Sequence, residues 1–263
     1  MKILLWIGNE PNQKALANKI HSLFPLAGII TETRPYKRKI TLSKIVDRLF
    51  LPSIGKAWWN MLQHYNGAFS NYPQVKTIDI ETINSDQAFE FSKSINADLI
   101  IVSGTRLIKE KMLSLKPSIG ILNLHTGLSP YIKGGPNCTN WCIATEQFHL
   151  IGNTVMWIDN GIDSGNILTS EFTELTGDEN LDQIHLKVME HAHALYLKAI
   201  KFVAEGKTNS VSQDSIAKGI VYYNKDWNLS KKRALASNVK KLKHSIRSGE
   251  LHKNRENVRV VKL

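Results

Sequence analysis

The chain has 263 residues and a mass of 29.7 kDa, room for one large domain or one domain with a small appendage. Hydrophobic residues make up 42% and charged residues 22%, which excludes a disordered or collagen-like chain. The formal charge of +11 would ordinarily indicate a nucleic-acid or anionic partner, yet it is not spread evenly. Residues 218–263 carry 13 Lys and Arg against 3 Asp and Glu, so residues 1–217 are left with a net charge of only +1.

The start is a short apolar run, Ile3–Gly8, too brief for a secretory core and read as a buried strand. Residues 13–24 place Leu16, Ile20 and Leu23 at helical spacing, and residues 27–31 form a second strand. A long crossover follows, with a basic cluster at 37–39, an amphipathic stretch at 42–51, and an aromatic-rich helical segment at 52–72. Residues 75–80 are a third strand, Asp86–Ile95 a helix, and residues 98–103 a fourth strand. Residues 109–115 are a short helix and residues 120–124 a fifth strand. This alternation predicts an α/β, Rossmann-like, largely parallel sheet flanked by helices, with ligands at the carboxyl ends of its strands.

Beyond residue 125 the pattern changes. Residues 125–137 are a Gly- and Pro-rich loop, 139–147 a helix, and 152–159 with 167–173 a hairpin around a polar turn. Residues 182–205 are the longest helix, with a stripe of Ile184, Val188, His191, Leu195, Ala199 and Phe202 and a C-cap at Gly206. The chain divides into a body, residues 1–206, and a small basic extension, residues 207–263, with one strand-like patch at 219–223 and a basic helix at 230–248. No apolar run approaches the ~18 residues of a membrane helix. Cys138 and Cys142 are too few for a disulfide framework and read as buried thiols. A cytoplasmic, reduced protein without a metal is expected; His185, His191 and His193 are not spaced to share one helix face.

Asn123 and His125 lie two apart at a strand end, so their side chains enter the same crevice. An amide donor beside an imidazole suits acyl transfer, stabilising an oxyanion and moving a proton. Asp163, in the turn Gly161-Ile162-Asp163-Ser164-Gly165, is placed to return to that crevice and orient the ring. No Ser or Cys has the setting of a nucleophile, which favours direct transfer.

With Leu128-Ser129-Pro130, Lys133-Gly134 and Gly152-Asn153-Thr154-Val155, these residues make the chain resemble the 10-formyltetrahydrofolate-dependent formyltransferases, most of all those acting on nucleotide-linked amino sugars. Thr126 stands where the family has Pro, and Lys133 where it has Arg. The resemblance implies the formyltransferase fold over roughly residues 2–205, with formyl passing directly to a primary amine. It implies catalysis by Asn123, His125 and Asp163, the amide and ring holding the oxyanion and the carboxylate helping to move the proton. It also implies a pterin pocket on two loops: Gly104, Thr105, Arg106, Leu107 and Ile108 on one, Ile158, Asp159, Gly161 and Ile162 on the other. Leu107 and Ile108 are equally consistent with core packing.

The acceptor is harder to read. Glu10 and Pro11 disfavour the phosphate loop that a glycinamide ribonucleotide acceptor needs. The 57 residues after Gly206 are short for the C-terminal barrel of a methionyl-tRNA enzyme. A nucleotide-linked amino sugar of surface polysaccharide synthesis is therefore expected, contacted by Tyr131, Lys133, Asn137 and Trp141, although core packing also accounts for Trp141. Formylation of a carrier-borne aminoacyl group is a related possibility, and RNA binding through the tail is the non-enzymatic one. The extension reads as a solvated helix, a homodimer contact or a diphosphate clamp. Cutting the chain after Gly206 is expected to spare the pterin pocket even if it harms acceptor binding or folding.

Overall fold

The structure, a computed structural model, describes residues 1–33 and 51–263. The basic cluster at 37–39 and the amphipathic stretch at 42–50 lie outside the described residues. Seven strands form one sheet in the order β3-β2-β1-β4-β5-β7-β8. They are β1 (Ile3–Gly8), β2 (Leu26–Glu32), β3 (Thr77–Ile80), β4 (Leu99–Ser103), β5 (Gly120–His125), β7 (Gly152–Trp157) and β8 (Ile167–Phe172). The first five pair in parallel, and β7 and β8 add antiparallel. Strand order reverses at β1, which has β2 on one side and β4 on the other. A crevice opens there beyond the carboxyl ends.

The apolar run of β1 is explained by burial on both faces. Ile3, Leu5 and Ile7 pack with Leu16 and Ile20 of α1 (Pro11–Leu23) and with Leu195, Ala199 and Val203 of a long helix, Leu181–Ala204. Leu4 and Trp6 pack on the opposite face with Ile100, Val102, Ala88 and Ile95. Ala88 and Ile95 belong to a helix, Asp86–Ile95, whose first turn is capped by the Ser85 side chain. Between these elements lie the helices Pro52–Ala68 and Glu110–Leu113. In chain order we label Pro52–Ala68 α2, Asp86–Ile95 α3, Glu110–Leu113 α4, Cys138–Ala144 α5 and Leu181–Ala204 α6.

The sheet's geometry is fixed from within by Tyr196 of α6. Its buried hydroxyl accepts the Val102 N–H at 2.9 Å and donates to the Leu122 carbonyl at 2.6 Å. This bridges β4 and β5 one residue before the crevice, where Asn123 stands.

Residues beyond Gly206 pack into the body. Helices α7 (Leu229–Arg247) and α8 (Glu250–Arg255) bury Leu235, Leu242, Ile246 and Leu251 against Cys142 and Ile143 of α5 and Ile184 and Val188 of α6. Two three-residue strands, β6 (Ile132–Gly134) and β9 (Ile220–Tyr222), pair in parallel and tie the extension to the loop after β5. Near the chain's end, the Val261 N–H donates to Ser170 Oγ at 3.0 Å. Several of the tail's cations are consumed internally. Arg255 is buried, donates to Glu174 at 2.9 Å, and stacks over Phe172. Arg247 pairs with Asp178 and Lys241 with Glu146.

Two histidines of α6 are buried and neutral. Burial pushes His185 down to about 4, against an opposing pull from Asp182. Burial, reinforced by Lys19 and opposed by Glu190, pushes His193 down to about 3. In the unfolded chain both rings take up protons below about pH 6.5, while in the fold they stay neutral to much lower pH. Stability therefore falls as the pH drops through 6.5, by about 2 kcal/mol per ring down to about pH 5. Denaturant melts at about pH 7.5 and 5 check this: the midpoint drops at the lower pH, and His185→Gln and His193→Gln each reduce the drop.

Candidate active site

The crevice is a cavity of about 580 Å³ lined by the ends of β4, β5 and β7, the loops that follow them, and the residues after β1. Asn123 and His125 both line it, as the two-residue spacing at the end of β5 requires. His125 is buried, with an acceptor at each ring nitrogen. Nδ1 lies 3.5 Å from Asp163 Oδ2, and Nε2 lies 3.3 Å from the Ile132 carbonyl and 3.5 Å from Cys138 Sγ. Burial alone would lower the ring's proton affinity. Asp163 first, then Cys138 and the Ile132 carbonyl, override it and raise the pKa to about 10. The site thus holds an imidazolium facing the cavity at ordinary pH.

The backbone around the ring leaves it little room. A Cβ at Gly127 would stand 2.4 Å from His125 Nε2 and 2.8 Å from Cys138 Cβ, so only glycine fits beside the imidazole. Thr154, paired with His125 across β5 and β7, holds that turn. Its hydroxyl donates to the Gly127 carbonyl at 2.8 Å and accepts the Ser129 N–H at 2.9 Å. Asp163 is a non-glycine residue at φ +47, and its Oδ2 also accepts the Gly134 N–H at 3.0 Å. Its turn is braced by Asp159, whose Oδ1 accepts from the Gly161 N–H at 2.9 Å and from the Ser164 hydroxyl at 2.6 Å.

All nine residues expected on the pterin loops line this cavity. Leu107 and Ile108 prove to differ. Leu107 is 52% exposed at the mouth, whereas Ile108 is buried in the core with Met112. The first loop is anchored by Glu32, a buried carboxylate that sequence reading missed. Its Oε1 accepts the Ile83 N–H at 2.8 Å, and its Oε2 the Arg106 N–H at 2.7 Å. An acid closing β2 was the available clue, but its partner Arg106 lies 74 residues away.

None of the four residues expected to contact the acceptor lines the cavity. Trp141 is 1% exposed. It stacks on Tyr222 at 4.2 Å between centroids, and its Nε1 donates to the Gly135 carbonyl at 3.1 Å. Asn137 caps α5, its side chain accepting the Asn140 N–H at 3.0 Å. The Tyr131 hydroxyl is engaged by the Arg259 backbone, accepting its N–H at 2.9 Å. Lys133 sits on β6 outside the lining. A second part of the wall, apart from the pterin loops, is made by Trp58, Pro136, Tyr222, Tyr223 and Asn224, with Glu10 and Asn12 at the start of α1. Trp58 belongs to the aromatic run at 52–72, a clue that was visible. The three residues at 222–224 reach the cavity because β9 pairs with β6, where the Gly135 N–H donates to the Tyr222 carbonyl at 3.0 Å.

The three α6 histidines occupy separate settings. His185 meets Asn140 Oδ1 at 2.8 Å, His191 meets Glu171 at 3.1 Å, and His193 meets Lys19 Nζ at 3.4 Å. Among the described residues, no group of three or more His, Cys, Asp or Glu is placed to hold a metal ion. No helix among them is long and apolar enough to cross a membrane.

Known proteins resemble this chain in both sequence and fold. Methionyl-tRNA formyltransferase of Clostridium tetani is 32% identical over 133 residues, 50% of this chain and 42% of that protein. The Clostridium botulinum enzyme of the same name is 33% identical over 128 residues, 49% of this chain and 41% of that protein. The chain thus matches well under half the length of these curated relatives. Among solved structures, a 4-N formyltransferase from Francisella tularensis aligns with a TM-score of 0.56 at 18% identity, covering 90% of this chain and 87% of that one. The Helicobacter canadensis N-formyltransferase, solved with folinic acid and dTDP-3-aminofucose, aligns at 0.54 and 16%, covering 91% and 81%. Phosphoribosylglycinamide formyltransferase from Streptococcus pneumoniae aligns at 0.51 and 16%, covering 78% and 99%. At such identities these structures establish a shared fold. The sequence model of the formyl transferase family matches residues 69–200, half of the chain, and those residues include both the strand ending at His125 and the turn holding Asp163. The chain therefore belongs to the formyl transferase family.

Proposed function

We propose that the protein transfers a formyl group from 10-formyltetrahydrofolate to the primary amine of a nucleotide-linked amino sugar. The observation that carries this reading is the meeting of Asn123, His125 and Asp163 at the end of β5, inside one cavity with two unlike walls. On one wall the loops at 104–108 and 158–162 offer backbone groups beside the exposed side chains of Leu107 and Ile162, a fit for a flat heterocycle with an apolar body. The other wall offers the aromatic faces of Trp58, Tyr222 and Tyr223, which suit a sugar ring or a base.

The folate supplies an activated formyl carbon when bound. Asn123 lines the cavity as a donor to the oxygen that gains charge as the amine attacks, and the His125 imidazolium, whose two ring nitrogens face Asp163 and the Ile132 carbonyl, supplies positive charge beside it. Asp163 keeps the ring protonated and takes part in moving the amine's proton toward the departing folate nitrogen. One C–N bond forms, one breaks, and the proton passes from acceptor to leaving group. No covalent attachment to the protein is needed.

Methionyl-tRNA as acceptor is the second reading, favoured by the curated relatives of that name. Glu10, which also lines the cavity, weighs instead against glycinamide ribonucleotide, whose phosphate would sit at the start of α1. A screen of UDP-, dTDP- and GDP-linked amino sugars, glycinamide ribonucleotide and Met-tRNA, followed by folate absorbance, separates these readings. Turnover with an amino-sugar nucleotide is the expected result. Turnover confined to Met-tRNA would move the assignment to the second reading.

A further inference from the structure

We infer that Gln213, in the C-terminal extension, is the positioning residue that holds Asp163 in its working conformation; this rests on the formyl-transfer reading above. Gln213 is 4% exposed and lies 50 residues from Asp163 in sequence. Its Nε2 donates one N–H to the Asp163 carbonyl and the other to the Gly165 carbonyl, each at 2.8 Å. These two carbonyls bracket the turn that carries the carboxylate. The amide's orientation follows from the same contacts, because an oxygen in the Nε2 position would face two carbonyl oxygens.

Two backbone bonds place the side chain. Val211 and Ile167 exchange N–H···O bonds in both directions at 2.8 Å, so residues 211–213 are latched to the start of β8. The clamp acts where the backbone is strained. Asp163 sits at φ +47, a conformation unfavourable for a residue with a Cβ, and needs its surroundings to hold it there. Released, the turn relaxes toward negative φ and carries the carboxylate away from the Gly134 N–H and from His125. The arrangement also costs stability. Gln213 Oε1 is buried and has no hydrogen-bond partner. A methionine of similar volume would avoid that orphaned oxygen, so packing alone does not call for glutamine here.

The test compares the wild type with Gln213→Met, with Gln213→Leu as a second apolar replacement should the first fail to fold. The folded variant is expected to lose kcat on the order of 10²-fold, the scale of a misplaced catalytic group, while KM for folate and acceptor stays within about threefold. In an Asp163→Asn background the same replacement is expected to add no more than about threefold, because it acts through that carboxylate. A second readout needs no substrate. The His125 imidazole titration, followed by NMR, should move down from about 10 toward its ordinary range in the variant. Unchanged kcat and an unchanged titration in a folded variant would overturn the inference, as would a loss fully additive with Asp163→Asn. Absence of turnover in the wild type would count against the formyl-transfer reading instead, and the titration would still decide the role of Gln213.

Discussion

Asn123→Ala, His125→Ala and Asp163→Asn are each expected to lower turnover of the formyl donor at least about 10²-fold, with the fold intact. Asn123 is the simplest case, since its amide lines the cavity and its loss removes one donor to the developing oxyanion. His125→Ala removes the positive charge that lies between Asp163 and the Ile132 carbonyl and faces the developing oxyanion. Asp163→Asn has two consequences. It removes the proton carrier, and it removes the charge that holds His125 up at about 10. Burial is then opposed only by Cys138 and the Ile132 carbonyl, so the ring's proton affinity falls. The pH profiles should reflect this. In the wild type the contribution of the imidazolium persists until the pH rises through about 10. In Asp163→Asn it is lost at lower pH. Steady-state kinetics over pH 6–10 check both statements, and near wild-type turnover in His125→Ala would contradict the mechanism.

A chain ending at Gly206 is expected not to fold. Sequence character alone sets the basic extension apart, but its apolar side chains are part of the core. Leu235, Leu242, Ile246 and Leu251 are all buried against the body. At roughly 1.5–3 kcal/mol each, their loss amounts to roughly 6–12 kcal/mol, as large as the whole stability of a typical domain. The cut also strips Tyr222 from Trp141 and removes Val211 and Gln213 from β8 and the Asp163 turn. Soluble yield and a circular-dichroism melt measure the outcome. A cooperative melt near that of the full chain would show that the extension is dispensable.

What sequence could and could not reveal follows from range. The strands and helices of the parallel half were legible because each is a local pattern. Burial on both faces makes β1 continuously apolar, and Ser85 marks the start of α3. Asn123 and His125 were legible because a two-residue spacing at a strand end fixes a shared direction. The acceptor wall was not. It depends on β6 and β9, three-residue strands 85 or more residues apart, whose pairing requires the close approach of Gly134 to the Tyr222 carbonyl. Trp141 reads from sequence as either core packing or an acceptor contact, because an aromatic near a catalytic loop fits both roles. Only packing shows that Tyr222 and Trp227 enclose it, turning a candidate ligand into the pillar behind the wall. Glu32 and Gln213 escaped notice for a related reason, since each acts on a backbone group far away in sequence.

A formyl group moved by this cavity onto an amine can be followed from donor to acceptor. Mass spectrometry of an amino-sugar nucleotide incubated with the protein and carbon-13-labelled 10-formyltetrahydrofolate tests this transfer most directly. A labelled formamide is expected on the acceptor, formed in step with tetrahydrofolate and abolished by His125→Ala. Release of labelled formate with every acceptor left unmodified would contradict it.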